Sequence, residues 1–143
     1  MRSTDLLARG FGSWQPFAME TERELLDRLP TTFGVYSMRF TQLEPRRLGE
    51  SDIACIGRAV NQNRLRGRVR QYFHPGWLQS TNLEMKARLL QRMVLQLAWV
   101  VTPDRAKAID LESELLLAFE GEHGERPPYN KQAALAHLSS ERA

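Results

Sequence analysis

Glu112 sits where a charged residue is least expected. From Arg105 onward the sequence reads as a helix. At about 100° per residue, Ala108, Leu111, Leu115, Ala118 and Phe119 gather on one side with Leu116 at its edge. Asp110, Ser113 and Glu114 fall opposite or at the margin, whereas Glu112 lies inside the apolar stripe. A carboxylate there must be paired, protonated or bound to a metal, because an uncompensated buried charge is very costly. A structural salt bridge would satisfy it. So would one Mg²⁺ that keeps most of its waters and shares its other positions with phosphate oxygens.

A second asymmetry concerns arginine. The formal net charge is only +3, yet Ile53 to Leu83 contains no Asp or Glu and carries Arg58, Arg64, Arg66, Arg68 and Arg70. Asn61, Gln62, Asn63, Gln71, Tyr72, Phe73, His74 and Trp77 are interleaved with them. A polyanionic partner would account for this mixture, and so would a solvated helix face in a protein rich in arginine. Within Arg64–Phe73, Leu65, Val69 and Tyr72 or Phe73 form an apolar stripe, and Arg66 and Arg70 point away from it. Arg68 flanks the stripe and is the arginine best placed to lean inward, although a surface arginine covering the core edge would share that spacing. His74 could supply a base or simply cap the helix. Cys55, the single cysteine, excludes an internal disulfide and a cysteine-rich zinc site, and reads as a small buried residue.

The elements that position these residues are readable in outline. Glu20–Leu29 is a short helix ended by Pro30. Phe33–Phe40 alternates as a strand, with Tyr36, Met38 and Phe40 on one face and Val35, Ser37 and Arg39 on the other. Thr41–Glu50 reads as a polar loop and Asp52–Gly57 as a second strand, together a hairpin with an extended turn. Arg64–Phe73 is a helix closed by His74-Pro75-Gly76, Leu83–Leu95 another helix, and Leu97–Val101 a third strand closed by Pro103. Asp104 is the expected N-cap of a helix from Arg105 to Glu120, with Gly121 and Gly124 as its stop. Pro127-Pro128-Tyr129-Asn130 makes an irregular turn before a last helix, Lys131–Leu138. The fold class is α/β (α+β): a small, mainly antiparallel three-stranded sheet flanked by helices.

At 143 residues, with 42% apolar and 26% charged residues, the chain has globular composition and room for one domain. It divides into an N-terminal extension with a short helix (1–30), a main unit (31–130) and a C-terminal helix or tail (131–143). No stretch is apolar enough to span a bilayer, and the first residues lack signal-peptide character, so the expectation is a cytoplasmic protein with no membrane contact. The oligomeric state is not readable.

Taken in order, the residues resemble the GIY-YIG nuclease superfamily. Gly34-Val35-Tyr36 stands for GIY and Cys55-Ile56-Gly57 for YIG. Arg58-Ala59, Asn61 and Leu65–Phe73 follow as in the nuclease half of the bacterial excision-repair excinuclease. Asp110-Leu111-Glu112 with Leu115-Leu116 resembles the helix bearing the metal-binding glutamate, and Pro128-Tyr129-Asn130 the closing asparagine motif. The likeness covers Thr31 to Asn130. It implies a DNA endonuclease hydrolysing phosphodiesters with one Mg²⁺ or Mn²⁺. In that reading Glu112 holds the metal, and Arg68 stabilises the charge that builds on the scissile phosphate. Tyr36 lies beside the attacking water as general base or hydrogen-bond partner, and Asn130 braces the site. His74 is an additional candidate base, and Arg58, Arg64, Arg66, Arg70 and Tyr72 are candidate nucleic-acid contacts, with a partner protein able to supply specificity. The pattern departs at Cys55, where the YIG tyrosine is missing. That leaves open a nucleic-acid-binding module that has lost cleavage, and a third reading in which the arginines serve no nucleic acid at all. The segments between Gly57 and Arg68, and between Glu112 and Asn130, are also longer than in compact members.

Overall fold

The structure, a computed structural model, describes residues 1–75 and 94–130. The expected helices over 83–95 and 131–138 fall wholly or largely outside the described residues; Leu95 itself opens a strand. Among the described residues the elements are α1 (Ser3–Leu7), β1 (Gln15–Phe17), a 3₁₀ turn (Met19–Thr21), α2 (Glu22–Arg28), β2 (Gly34–Pro45), β3 (Glu50–Ala59), α3 (Arg64–Phe73), β4 (Leu95–Val101) and α4 (Arg105–His123).

Among the described residues the sheet has four strands rather than three, in the order β1-β4-β2-β3, and every neighbouring pair is antiparallel. The extra strand, β1, comes from the N-terminal segment and pairs Gln15–Phe17 with Leu97–Leu95. It carries Pro16, which an edge strand tolerates because one side of its backbone faces no ladder.

The sheet separates two apolar layers. On one face Tyr36, Met38, Ala54 and Cys55 pack with Leu25 and Leu29 of the α2 region and with Leu65, Val69, Tyr72 and Phe73 of α3. On the other face Val35, Ile53, Ile56 and Ala98 pack with Leu6, Phe11 and the α4 residues Ala108, Leu115, Leu116 and Phe119. The alternation along β2 is therefore as read, but β3 breaks it. Met38 faces Cys55 while Arg39 faces Ile53, so Ala54 is an extra residue. This bulge sends both Ala54 and Cys55 to the α3 face, and Gly57 and Arg58 then resume the alternation.

Thr41–Glu50 is not a loop. β2 continues to Pro45 and pairs Glu44 and Pro45 with Ser51 and Glu50 after a second irregularity, leaving the turn to 46–49. The turn is fastened to the end of α4: Arg47 N–H donates to Glu125 Oε2 at 2.6 Å and Leu48 N–H to the His123 carbonyl at 2.9 Å.

α4 begins at the expected N-cap, where the Asp104 carboxylate accepts from Lys107 N–H at 2.8 Å. It runs past Glu120 and Gly121 to His123 and stops at Gly124, whose φ of 71° suits a left-handed cap. Gly121 does not end it, and Ala118, read as part of the apolar stripe, is exposed.

Candidate active site

The outer edge of β3 is where the elements converge. α3 lies on one face, α4 on the other, and the 127–130 segment runs along the free side of the strand. Tyr129 N–H donates to the Ala54 carbonyl at 3.0 Å. The next residue, Asn130, grips Ile56, two positions along β3, twice: its Oδ1 accepts from Ile56 N–H at 2.9 Å and its Nδ2 donates to the Ile56 carbonyl at 2.7 Å. The amide thus imitates a neighbouring strand on an edge that has none.

Tyr36 reaches this edge across Gly57, its partner in the β2–β3 ladder. A Cβ on Gly57 would lie 2.3 Å from the Tyr36 hydroxyl, so glycine is what lets the ring pass. The Tyr36 hydroxyl is 2.6 Å from that of Tyr72. Arg68, one turn earlier on α3, donates from Nη2 to the Tyr72 hydroxyl at 3.0 Å, with its guanidinium 4.3 Å from the Tyr72 ring centre and 5.9 Å from that of Tyr36. Tyr72 was a candidate nucleic-acid contact; at 2% exposure it is an interior member of this cluster instead. Burial pushes the Tyr36 phenol up to about 12, against the opposing pull of Arg68. Burial likewise pushes the Cys55 thiol to about 12 and Tyr72 well above the ordinary phenol value. Arg68 resists the opposite effect: burial disfavours its charge, but Tyr36, Tyr72, Cys55 and Glu112 around it hold it more firmly protonated than usual.

Glu112 approaches from the α4 side with 17% of its side chain exposed. Its carboxylate lies 3.7 Å from the Arg58 guanidinium. Burial raises its pKa, opposed by Arg58, Arg126 and Arg68. Its charge is felt by Tyr36, Cys55 and Arg68, which puts the acid, the phenol and the inward arginine in one electrostatic neighbourhood. Among the described residues no three acidic, histidine or cysteine side chains cluster as a metal cage. A single, partly accessible carboxylate still fits Mg²⁺ or Mn²⁺, hard ions that retain several waters.

The remaining arginines are less free than their spacing implied. Arg64 stacks on the Phe33 ring at 3.7 Å, and Arg66 Nε donates to the Leu29 carbonyl at 2.8 Å. The N–H groups of Arg64, Leu65 and Arg66 at the start of α3 donate to the carbonyls of Asn61, Thr32 and Pro30. These are the donors a helix start would offer a phosphate, and here they are already taken. Arg70 is exposed. His74 ends α3 and pairs with Glu22 of α2 at 2.6 Å, which ties it to α2 rather than to Tyr36 or Glu112.

No protein-family model matches the chain. It is 34% identical over 112 residues to UvrABC system protein C of Caldicellulosiruptor saccharolyticus, covering 78% of this chain and 15% of that protein. It is 33% identical over 100 residues to UvrABC system protein C of Parasynechococcus marenigrum, covering 67% of this chain and 13% of that protein. The chain therefore spans about one seventh of the length of these relatives. The fold is that of the GIY-YIG N-terminal endonuclease domain of UvrC from Thermotoga maritima. The magnesium-bound form superposes with a TM-score of 0.51 at 22% identity, covering 78% of this chain and 97% of that domain. The Asn→Ala point mutant of the same domain, bound to its catalytic divalent cation, gives the same TM-score at 21% identity. The chain thus has the fold of the GIY-YIG endonuclease domain, and its sequence is similar to part of UvrABC system protein C.

Proposed function

We propose that the chain is a metal-dependent endonuclease that hydrolyses DNA phosphodiester bonds with one Mg²⁺ or Mn²⁺. The observation that carries this reading is that Tyr36 and Arg68 cluster through Tyr72 at Gly57 of β3 while Glu112 of α4 pairs with Arg58, the next residue of that strand. Glu112 would hold the cation, which when bound supplies charge neutralisation to the phosphate. Arg68 keeps its positive charge at any working pH and is held by Tyr72 and Gln71, which positions its guanidinium to stabilise a phosphate on which charge accumulates. The Tyr36 phenol, held protonated by burial, acts as a hydrogen-bond partner that orients the attacking water rather than as a free phenolate. Asn130 acts through the backbone, fixing β3 so that Gly57 and Arg58 keep their places. Arg58 and Arg70 are the exposed cations left for the DNA backbone, with Arg64 contributing the outer face of its stack. Specificity would come from the long β2–β3 arm or from a partner protein.

One feature favours a second reading. Cys55 replaces the YIG tyrosine, is buried, and has a thiol pushed up to about 12, so it supplies neither a phenol nor a thiolate. A protein that binds DNA without cutting it would follow if water activation depended on that position. Supercoiled plasmid incubated with protein and Mn²⁺, with and without EDTA, separates the two. Nicking that needs the metal and disappears in Glu112→Ala supports the endonuclease. Binding without nicking by the wild-type protein supports the binding module.

A further inference from the structure

Glu112 has a partner that is already a cation, and that partner stands on the solvent side. The carboxylate side chain is 17% exposed and the Arg58 side chain 43%, so the guanidinium 3.7 Å away is the outer member of the pair. Arg58 stands two positions along β3 from Ile56, whose backbone groups Asn130 grips. The outward approach to the carboxylate is thus taken by a partly exposed side chain.

We propose that Arg58 is the resident counter-ion of Glu112 in the metal-free protein, and that a divalent cation displaces it, releasing the guanidinium to a substrate phosphate at the rim. This rests on Glu112 being the metal ligand. Mg²⁺ and Mn²⁺ take carboxylate oxygens directly, and a guanidinium at the same oxygens would be repelled at short range. An arginine set free beside the ion is suited to a phosphate because its planar fork matches phosphate oxygens. Metal binding and phosphate recognition are then coupled: the apparent metal affinity is lowered by the pair that must open, and substrate recovers that loss by engaging the freed side chain.

The test is Mn²⁺ binding to the full chain by calorimetry, without DNA, for the wild type, Arg58→Gln, Arg58→Lys and Glu112→Gln, each checked for folding by circular dichroism. A partly exposed ion pair is worth about 0.2–1 kcal/mol, so Arg58→Gln should bind Mn²⁺ up to about fivefold tighter at low ionic strength. Arg58→Lys, which keeps a charge, should stay near wild type. The advantage of Arg58→Gln should shrink as salt rises, because screening loosens the wild-type pair. Its affinity for a short DNA duplex should fall over the same series. Equal or weaker Mn²⁺ binding by Arg58→Gln overturns the displacement proposal. If Glu112→Gln binds Mn²⁺ as well as wild type does, the failure lies instead in the assignment of Glu112.

Discussion

Gly57 and Tyr36 form a lock in which the smaller residue sets the place of the larger. With the Tyr36 hydroxyl 2.3 Å from where a Cβ would stand, Gly57→Ala must push the ring away from Tyr72 and Arg68. Overpacking of this kind costs about 1–3 kcal/mol. The expected result is a lowered melting temperature together with loss of nicking, whereas Ala59→Gly on the same strand should lower stability without abolishing nicking. Arg68→Ala should reduce cleavage by about 10²–10³-fold while the fold survives, measured by single-turnover kinetics beside circular dichroism. Alkaline pH offers a test that needs no substrate. Tyr36 and Cys55 have folded-state values near 12, above their ordinary values of 10.0 and 9.0. In the unfolded chain these groups ionise first, so their contribution to stability is complete below pH 9 and is lost as pH rises toward 12. Denaturant midpoints should therefore fall over that window, and Cys55→Ala should flatten the early part of the decline. At this scale the sequence was informative where one helix alone decided the matter: Glu112 is visible because its neighbours at three and four residues are apolar. Tyr72 was legible as one of two residues completing the apolar stripe, but its bond to Tyr36 was not, because that partner lies 36 residues away on a strand.

The elements show which signals were local. α3 spans Arg64–Phe73 as its stripe required, and its four apolar positions are all buried. β1 escaped notice because three residues including a proline make no periodic pattern; only the ladder to Leu95–Leu97 reveals it. Thr41–Glu50 reads as a loop because it is polar and holds Pro45 and Gly49, yet the backbone of Thr41, Gln42 and Leu43, exposed as they are, continues as strand. The Ala54 bulge could not be foreseen either, since it depends on register across two strands. Asn130 is the element-scale test of the site. Asn130→Ala removes both bonds to Ile56 and should cost about 1–3 kcal/mol through the backbone groups left unpaired. Hydrogen exchange should quicken at Ile56, and cleavage should drop even where the protein is fully folded. Unchanged exchange at Ile56 would refute the bracing role.

Across the whole molecule, the N-terminal segment is part of the core rather than an appendage. Leu6, Phe11 and Phe17 are each less than 5% exposed, and Ser3 N–H donates to Asp52 Oδ1 at 2.8 Å. Deleting 1–18 should therefore cost several kcal/mol and leave a chain that unfolds at much lower denaturant, because three large apolar side chains and the β1 ladder go together. The uneven charge, legible from the sequence as an acid-free run, predicts DNA affinity that falls steeply with added salt. Its distribution in space was not legible, because Arg66 and Arg64 are engaged by a carbonyl and a ring from the segment before β2. The side-chain grip of Asn130 on β3 reaches beyond positioning. An open strand margin invites another polypeptide to add itself to the sheet. Here the amide occupies the donor and acceptor of Ile56, and Tyr129 occupies the carbonyl of Ala54, so this margin of the sheet is closed to such additions.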